Sequence, residues 1–470
     1  MRTPLYVVLC LAGGLIPGWA EPEFPLTEDS KAQPEIAKGE LLKGTHVASP
    51  QSGFPGTERE YQLYLPSGVD RTKPLPFMVF QDGVIYQAPV VFDNLIARRE
   101  IPALSGVFVR PGVVPAANEG ALPRFNRSLE YDSVTSDYSN FLIEEFLPAL
   151  EKAHGVVFSK NPDEAGIAGN SSGGIAAFMV AWHRPDRFRR VFTGVGTYVG
   201  IRGADALPVF VRKTEPKPLK VFLQSGTEDN NIYCGDWWMA NQMMERSLAW
   251  AGYDVRHAWG EGGHNQKHAS QVFPEAMRWL WADAEVRPNP AGGSKWKGFE
   301  IFPQGSAWEE CPKVALATIA ERTTPFGGTK ALADRGATLS PDQTLLYLAE
   351  TDSDYIRSAQ VGKDGALTHE QRFYRLDTWD GFRPEARSLC VDADGRLYAA
   401  TDLGIQVCDQ AGRVNFIVPT PGPVTEVGFG GANDGHLIAV CGERCYWRPT
   451  QTRGLVSQRE APVKPAPPRL

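Results

Sequence analysis

Clustered positive charge is the first thing this chain lacks. Across 470 residues, 48 Lys and Arg face 55 Asp and Glu, the net charge is −7, and no stretch concentrates the basic residues. Nucleic acid and anionic membrane surfaces are therefore not expected partners. Long apolar runs are missing too. After the first twenty residues, nothing reaches the roughly 20 apolar residues a membrane-spanning helix requires. Cysteine is sparse, with seven in all. No second close Cys or His pair accompanies Cys441 and Cys445 in "CGERC", which argues against a zinc site. Mostly buried free thiols are expected, with a small Cys441–Cys445 loop as the alternative.

The first twenty residues differ from the rest. A short positive start, "MR", precedes the apolar "LYVVLCLAGGLI" and the small-residue site "GWA". That pattern reads as a secretory signal over residues 1–20, cleaved after Ala20, and predicts a secreted or periplasmic protein in which disulfides are permitted. Residues 21–38 read as a flexible N-terminal segment.

From 39 to 286, strands alternate with helices. "PFMVFQDG", "SGVFVRPG" and "KVFLQSG" read as buried strands. "SDYSNFLIEEFLPALEKAH", "DWWMANQMMERSLAWAG" and "PEAMRWLWADAE" read as helices, the first capped by Ser136 or Asp137. The alternation predicts an α/β fold with a doubly wound, mostly parallel sheet covered on both faces. Residues 287–330 read as a linker with a degraded unit near "KVALATIAER". Short strands with Asp-containing turns then run from 331 to 455. "LSPDQTLLYLAE", "LCVDADGRLYAAT" and "VGFGGANDGHLIAV" repeat one order, stepping 51 residues from Tyr347 to Tyr398 and 40 from Tyr398 to Ile438. Such periods suggest blades of a smaller all-β, partial β-propeller. The Pro-rich 456–470 read as a disordered tail.

"AGNSSGG" places a G-x-S-x-G between a short apolar stretch and a helix-like segment. A nucleophile on a strand-to-helix turn needs that setting: the serine takes a strained backbone, and flanking glycines avoid clashes. The register makes Ser171 the nucleophile and the Ser172 N–H an oxyanion donor. This arrangement demands an acid and then a His downstream. Asp229, with Glu228 in reserve, follows the strand "VFLQSG", and His264 lies in "GEGGHNQKH", with His268 as its rival. His264 would deprotonate Ser171, and Asp229 would orient the imidazole. A second oxyanion donor is expected at Gly83 or Val84, where "MVFQDG" ends and Asp82 shapes the turn. Arg127 and Glu130 are candidates for an ion pair bracing the pocket. Trp237 or its neighbour Trp238 is a candidate for the pocket wall.

Residues 39–284 resemble the esterase family of α/β-hydrolases, which includes enterochelin, feruloyl and acetyl-xylan esterases. The resemblance rests on "YQLYLPSG", "VFQDG", "RSLEYD", "AGNSSGGIAAF", "GTEDN" and "GGHN". It implies Asp229 as the acid, His264 as the base, and no metal or organic cofactor. The later part is similar to gluconolactonase-like, regucalcin-type propellers in "LSPDQTLLYLAE", "DADGRLYAATDLGIQVCDQAGRV" and "FGG". Those enzymes bind a divalent metal through Asn and Asp ligands. Here Arg335, Arg387 and Glu426 stand at the corresponding places, and arginine cannot ligate a cation. A non-catalytic accessory module is expected there, packed on the esterase or helping to hold a glycan-like substrate.

The expected function is a secreted serine carboxylesterase acting on an acyl or aromatic acid ester of a sugar or polyol. Its partner would be a small-molecule or carbohydrate ester. The alternatives are a metal-dependent sugar lactonase and a non-catalytic glycan-binding protein.

Overall fold

The computed structural model describes residues 23–287, 293–311, 336–350, 352–380, 382, 385–455 and 462–467. The expected signal, the unit near "KVALATIAER" and Arg335 lie outside the described residues.

The first part is built on one mixed sheet. Its strands are β1 (Glu40–Val47), β2 (Glu58–Leu65), β3 (Phe77–Gln81), β4 (Ser105–Val109), β5 (Val113–Val114), β6 (Arg124–Phe125), β7 (Ala165–Asn170), β8 (Arg190–Gly194), β9 (Lys220–Glu228) and β10 (Asp254–Gly263). They run in the order β10-β9-β8-β7-β3-β4-β2-β5-β6, with β1 on the side of β2. The six strands from β10 to β4 are parallel, and β1, β2, β5 and β6 pair antiparallel. The central strands are buried on both faces because consecutive apolar residues feed different cores. Phe77 and Val79 join one hydrophobic cluster, and Met78 and Phe80 join the other. Helices α1 (Ala88–Ala97) and α5 (Lys267–Leu280) cover the second face, while α2 (Ser172–His183) and α4 (Trp237–Ala251) cover the first. The expected α/β architecture is present.

Helix ends follow local chemistry. Asp236 caps α4 by accepting the Met239 N–H at 3.0 Å, and Gly252 ends it at φ 85°. The segment "SDYSNFLIEEFLPALEKAH" is helical, but neither expected residue caps it: Ser136 makes no side-chain cap bond, and Asp137 is already in the first turn. It widens into a π turn over Phe141–Phe146 before Leu147–His154. Pro148 lacks the N–H that would close the regular turn there. Helix α5 begins seven residues before Pro274, earlier than the sequence suggests, and carries that proline inside it. Residues 23–38 are held in place rather than loose. Arg278 binds the Asp29 carboxylate at 2.8 Å, Asn94 binds the Asp29 carbonyl at 2.8 Å, and Phe24 stacks on His268.

Among the described residues, the last part forms three four-stranded antiparallel sheets. Tyr347, Tyr398 and Ile438 each fall on the second of the strands that follow one another in their sheet. The third sheet is completed from upstream, where Glu309–Glu310 pairs with Tyr446 and Trp447. Next to that strand Cys311 forms a disulfide with Cys445, and Cys441 stays free. The small Cys441–Cys445 loop does not form, because the hairpin register sets Cys441 opposite Arg444 and Cys445 opposite Val440. The two cysteines thus face opposite sides of the sheet. In the expected tail, Val463 N–H binds the Pro341 carbonyl at 2.9 Å and Gln410 binds the Ala466 carbonyl at 2.8 Å.

The two parts share one core around α3 (Leu207–Lys213). Trp379 packs on Phe210 with ring centroids 4.4 Å apart. Lys213 Nζ pairs with Asp377 at 2.7 Å, and Arg448 grips Glu215 through two bonds of 2.7 and 2.8 Å.

Candidate active site

At the end of β7 the chain turns sharply into α2, and Ser171 sits at the turn with φ 58° and ψ −125°. That backbone is sparsely populated and costs energy that the surroundings must offset. Glycine makes the turn possible. A Cβ on Gly169 would lie 2.0 Å from the Gly173 carbonyl oxygen, and one on Gly173 would lie 2.8 Å from Gln81 Cβ. Tyr86, fully buried, braces the strand end by donating to the Gly169 carbonyl at 2.9 Å.

The ends of β7, β9 and β10 then converge. His264 Nε2 lies 2.7 Å from Ser171 Oγ, and His264 Nδ1 lies 2.6 Å from Asp229 Oδ1. The Asp229 carboxylate is fully buried, and its other contacts are the Ser225 hydroxyl at 2.7 Å and the Asn230 N–H at 2.8 Å. These contacts hold Asp229 against the ring and fix which imidazole nitrogen faces Ser171. Glu228 is exposed. His268 is turned away: Nδ1 meets Gln224 Nε2 at 3.1 Å, and burial lowers its pKa.

The candidate donors to the oxyanion are backbone N–H groups. The first turn of α2 leaves the Ser172 N–H without an intrahelical acceptor, and the helix N-terminus favours negative charge there. The Ser172 side chain is buried, and its hydroxyl and that of Ser128 draw on the Asp132 carboxyl, whose pKa burial raises. Gly83 does not qualify as a donor, since its N–H already binds the Val109 carbonyl at 3.1 Å. Among the described residues no backbone acceptor engages the Val84 N–H.

One other expectation changes. Arg127 and Glu130 do not pair with each other. Arg127 binds Asp82 through two bonds of 2.8 Å, and Glu130 binds Arg59 at 3.0 Å with both side chains fully buried. Each is drawn to a partner outside the short helix Arg127–Tyr131. Trp237, expected at the pocket wall, is 3% exposed and stands edge-on to the His264 ring at 5.5 Å. Trp238 packs edge-on against Trp259. Sequence reasoning missed Thr197, whose hydroxyl lies 3.4 Å from Ser171 Oγ, and Asn241, which binds the Gly196 carbonyl at 2.9 Å. No motif marks either residue.

This geometry lies in a segment with known relatives. Residues 52–280 match the Esterase family model, and residues 329–440 match the SMP-30/Gluconolactonase/LRE-like region. The chain joins an esterase-family segment to a gluconolactonase-like one. The iron(III) enterobactin esterase of Dickeya dadantii (strain 3937) is 30% identical over 152 residues, 29% of this chain and 33% of that protein. The chain thus matches about a third of that relative's length. Among solved structures, a ferulic acid esterase is 16% identical at a TM-score of 0.42, over 52% of this chain and 98% of its own. The enterobactin esterase of Shigella flexneri is 19% identical at a TM-score of 0.40, over 54% and 62%.

The gluconolactonase-like segment implies a divalent metal, and its residues do not fit one. The Arg387 guanidinium pairs with Asp402, lies 3.9 Å from Glu385 and donates to the Val424 carbonyl at 3.3 Å. A fixed cation there repels another. Glu426 is exposed. Among the described residues no group of three or more His, Cys, Asp or Glu could hold a metal, and no helix is long and apolar enough to cross a membrane.

Proposed function

We propose that this protein is an exported serine carboxylesterase. Ser171 attacks the ester carbonyl as His264 Nε2 takes its proton, while Asp229 holds Nδ1–H and stabilises the imidazolium. The N–H groups of Ser172 and Val84 meet the oxyanion. His264 then gives the proton to the departing alcohol, leaving Ser171 acylated. Water, deprotonated by His264, attacks that acyl group, and the returned proton restores the Ser171 hydroxyl.

The observation that carries this reading is the continuous contact from Ser171 through His264 to buried Asp229 on a strained turn. The acyl group would be apolar or aromatic: two exposed aromatic side chains lie close in sequence to site residues, Phe125, two before Arg127 and 70% exposed, and Tyr233, between Asp229 and Trp237 and 93% exposed. The alcohol would be a sugar or similar polyol, and iron(III) enterobactin, named for the Dickeya relative, belongs in the screen. The N-terminal signal pattern supports export. The gluconolactonase-like segment, packed on α3, acts as a non-catalytic support.

Hydrolysis of a p-nitrophenyl acyl ester tests the reading. Wild-type and chelator-treated protein should turn over alike, and Ser171→Ala should lose roughly a thousandfold or more. Activity that survives Ser171→Ala and dies with chelator overturns the proposal in favour of a metal-dependent lactonase.

A further inference from the structure

Thr197 is buried beside the nucleophile, and its hydrogen bonds run in one direction. The Trp237 indole Nε1–H lies 3.2 Å from Thr197 Oγ1, and an indole N–H can only donate. Thr197 Oγ1 therefore accepts from Trp237 and keeps its single proton for its other side-chain neighbour, Ser171 Oγ at 3.4 Å. Ser171 Oγ then has its own proton free for His264 Nε2 at 2.7 Å. The chain of donors reads Trp237 to Thr197 to Ser171 to His264 to Asp229, with no reversal.

The turn that presents Thr197 is strained and firmly held. Val195 stands at φ 40°, where a β-branched side chain is a genuine outlier. Such a backbone persists only when its surroundings dictate it. Here the Val195 N–H binds the Gln224 carbonyl at 2.7 Å, and the Thr197 N–H binds the Ser171 carbonyl at 3.2 Å. Two residues one turn apart on α4 grip the rest. Fully buried Asn241 donates to the Gly196 carbonyl at 2.9 Å, and Trp237 donates to the Thr197 hydroxyl.

We propose, resting on Ser171 as the nucleophile, that Thr197 is a further catalytic residue whose hydroxyl donates to Ser171 Oγ. Trp237 and Asn241 are its positioning residues. When His264 removes the Ser171 proton, Oγ gains negative charge and the Thr197 bond becomes charge-assisted, hence shorter and stronger. In the second half-reaction the acyl carbon–Oγ bond breaks, the electron pair returns to Oγ, and His264 supplies the proton. The same donor favours that departure. Thr197 keeps its proton throughout, so no further reactant is needed.

The test compares Thr197→Val, which keeps the shape without the hydroxyl, with Thr197→Ser, which keeps the hydroxyl. Pre-steady-state bursts with a p-nitrophenyl ester count the competent sites, so rates refer to folded enzyme only. Thr197→Val should lose about 10–100-fold in kcat with KM little changed, as expected for a charge-assisted bond made mainly in the transition state. Thr197→Ser should stay near wild type, and Trp237→Phe should fall between. Wild-type kcat in Thr197→Val, or equal damage in Thr197→Ser, overturns the role. Ser171→Ala run in parallel separates the two possible failures. If it stays active, the nucleophile assignment fails; if it is dead while Thr197→Val is normal, only the Thr197 role fails.

Discussion

Arg127 holds Asp82 through two parallel bonds of 2.8 Å, and Asp82 stands at φ 66° where β3 ends. A Cβ on Gly173 would lie 3.0 Å from Asp82 Oδ2, so the carboxylate abuts the first turn of α2. The pair thus ties the loop carrying Val84 to the short helix Arg127–Tyr131, with the Asp82 carboxylate set against the turn that follows Ser171. Arg127→Met is expected to lower kcat/KM about 10–100-fold, because small misplacements at a reacting centre cost that much. Both partners are partly exposed, so the melting temperature should fall by only a few degrees. Arg127→Lys should not rescue, since lysine cannot form the two-pronged bond. Unchanged kcat/KM in Arg127→Met contradicts this role.

The choice between the two acidic neighbours is equally direct. Asp229 touches His264 and is fully buried, whereas Glu228 faces solvent. Asp229→Asn should lower kcat by about 10⁴, as a wrong imidazole tautomer does, and Glu228→Gln should change it little. Steady-state kinetics on both variants decide the matter, and the reverse ranking reassigns the acid.

Much of this arrangement was readable in the sequence. Ser171, Asp229 and His264 follow a fixed order at the ends of buried strands, and the glycines around Ser171 mark the tight turn. The two-faced sheet was legible in apolar runs such as "FMVF". Thr197 and Asn241 were not, because their role arises only when α4 docks against the turn after β8. Arg127 and Glu130 sit three apart and suggested a pair. Their partners lie 45 and 71 residues away in sequence, Asp82 and Arg59, and no local pattern encodes that. The strand Glu309–Glu310 is too short to show a period, so neither the completed third sheet nor the Cys311–Cys445 link, 134 residues apart, could be read.

Gly169 is a position where packing leaves no choice. Its added Cβ would lie 2.0 Å from the Gly173 carbonyl oxygen, a backbone atom that cannot swing away. Gly169→Ala should destabilise the fold by about 3 kcal/mol or more. Urea unfolding measures this, and a midpoint matching the wild type contradicts the close approach.

Two desolvated basic groups, His183 and Lys217, should each make stability rise with pH. Lys217 is half-buried over the Trp182 ring, where its ammonium donates to the Trp182 carbonyl at 2.5 Å, and desolvation lowers its pKa to about 7. Burial, aided by the Lys217 charge, lowers His183 to about 4. The unfolded chain therefore binds the extra protons, His183 between about 4 and 6.5 and Lys217 between about 7 and 10.5. Stability is lost as pH falls through each window. Thermal melts at about pH 5, 7 and 9 should show that rise. Lys217→Met should flatten the upper part and raise the melting temperature near neutrality. A Lys217→Met protein that melts below wild type at neutral pH contradicts this reading.

The nucleophile itself is tested most directly by a covalent fluorophosphonate adduct mapped by mass spectrometry. The expected result is one adduct per chain, on Ser171, with ester hydrolysis lost in step with labelling and no adduct on Ser171→Ala. An adduct on another serine that abolishes activity, or full hydrolysis by protein labelled at Ser171, contradicts the assignment.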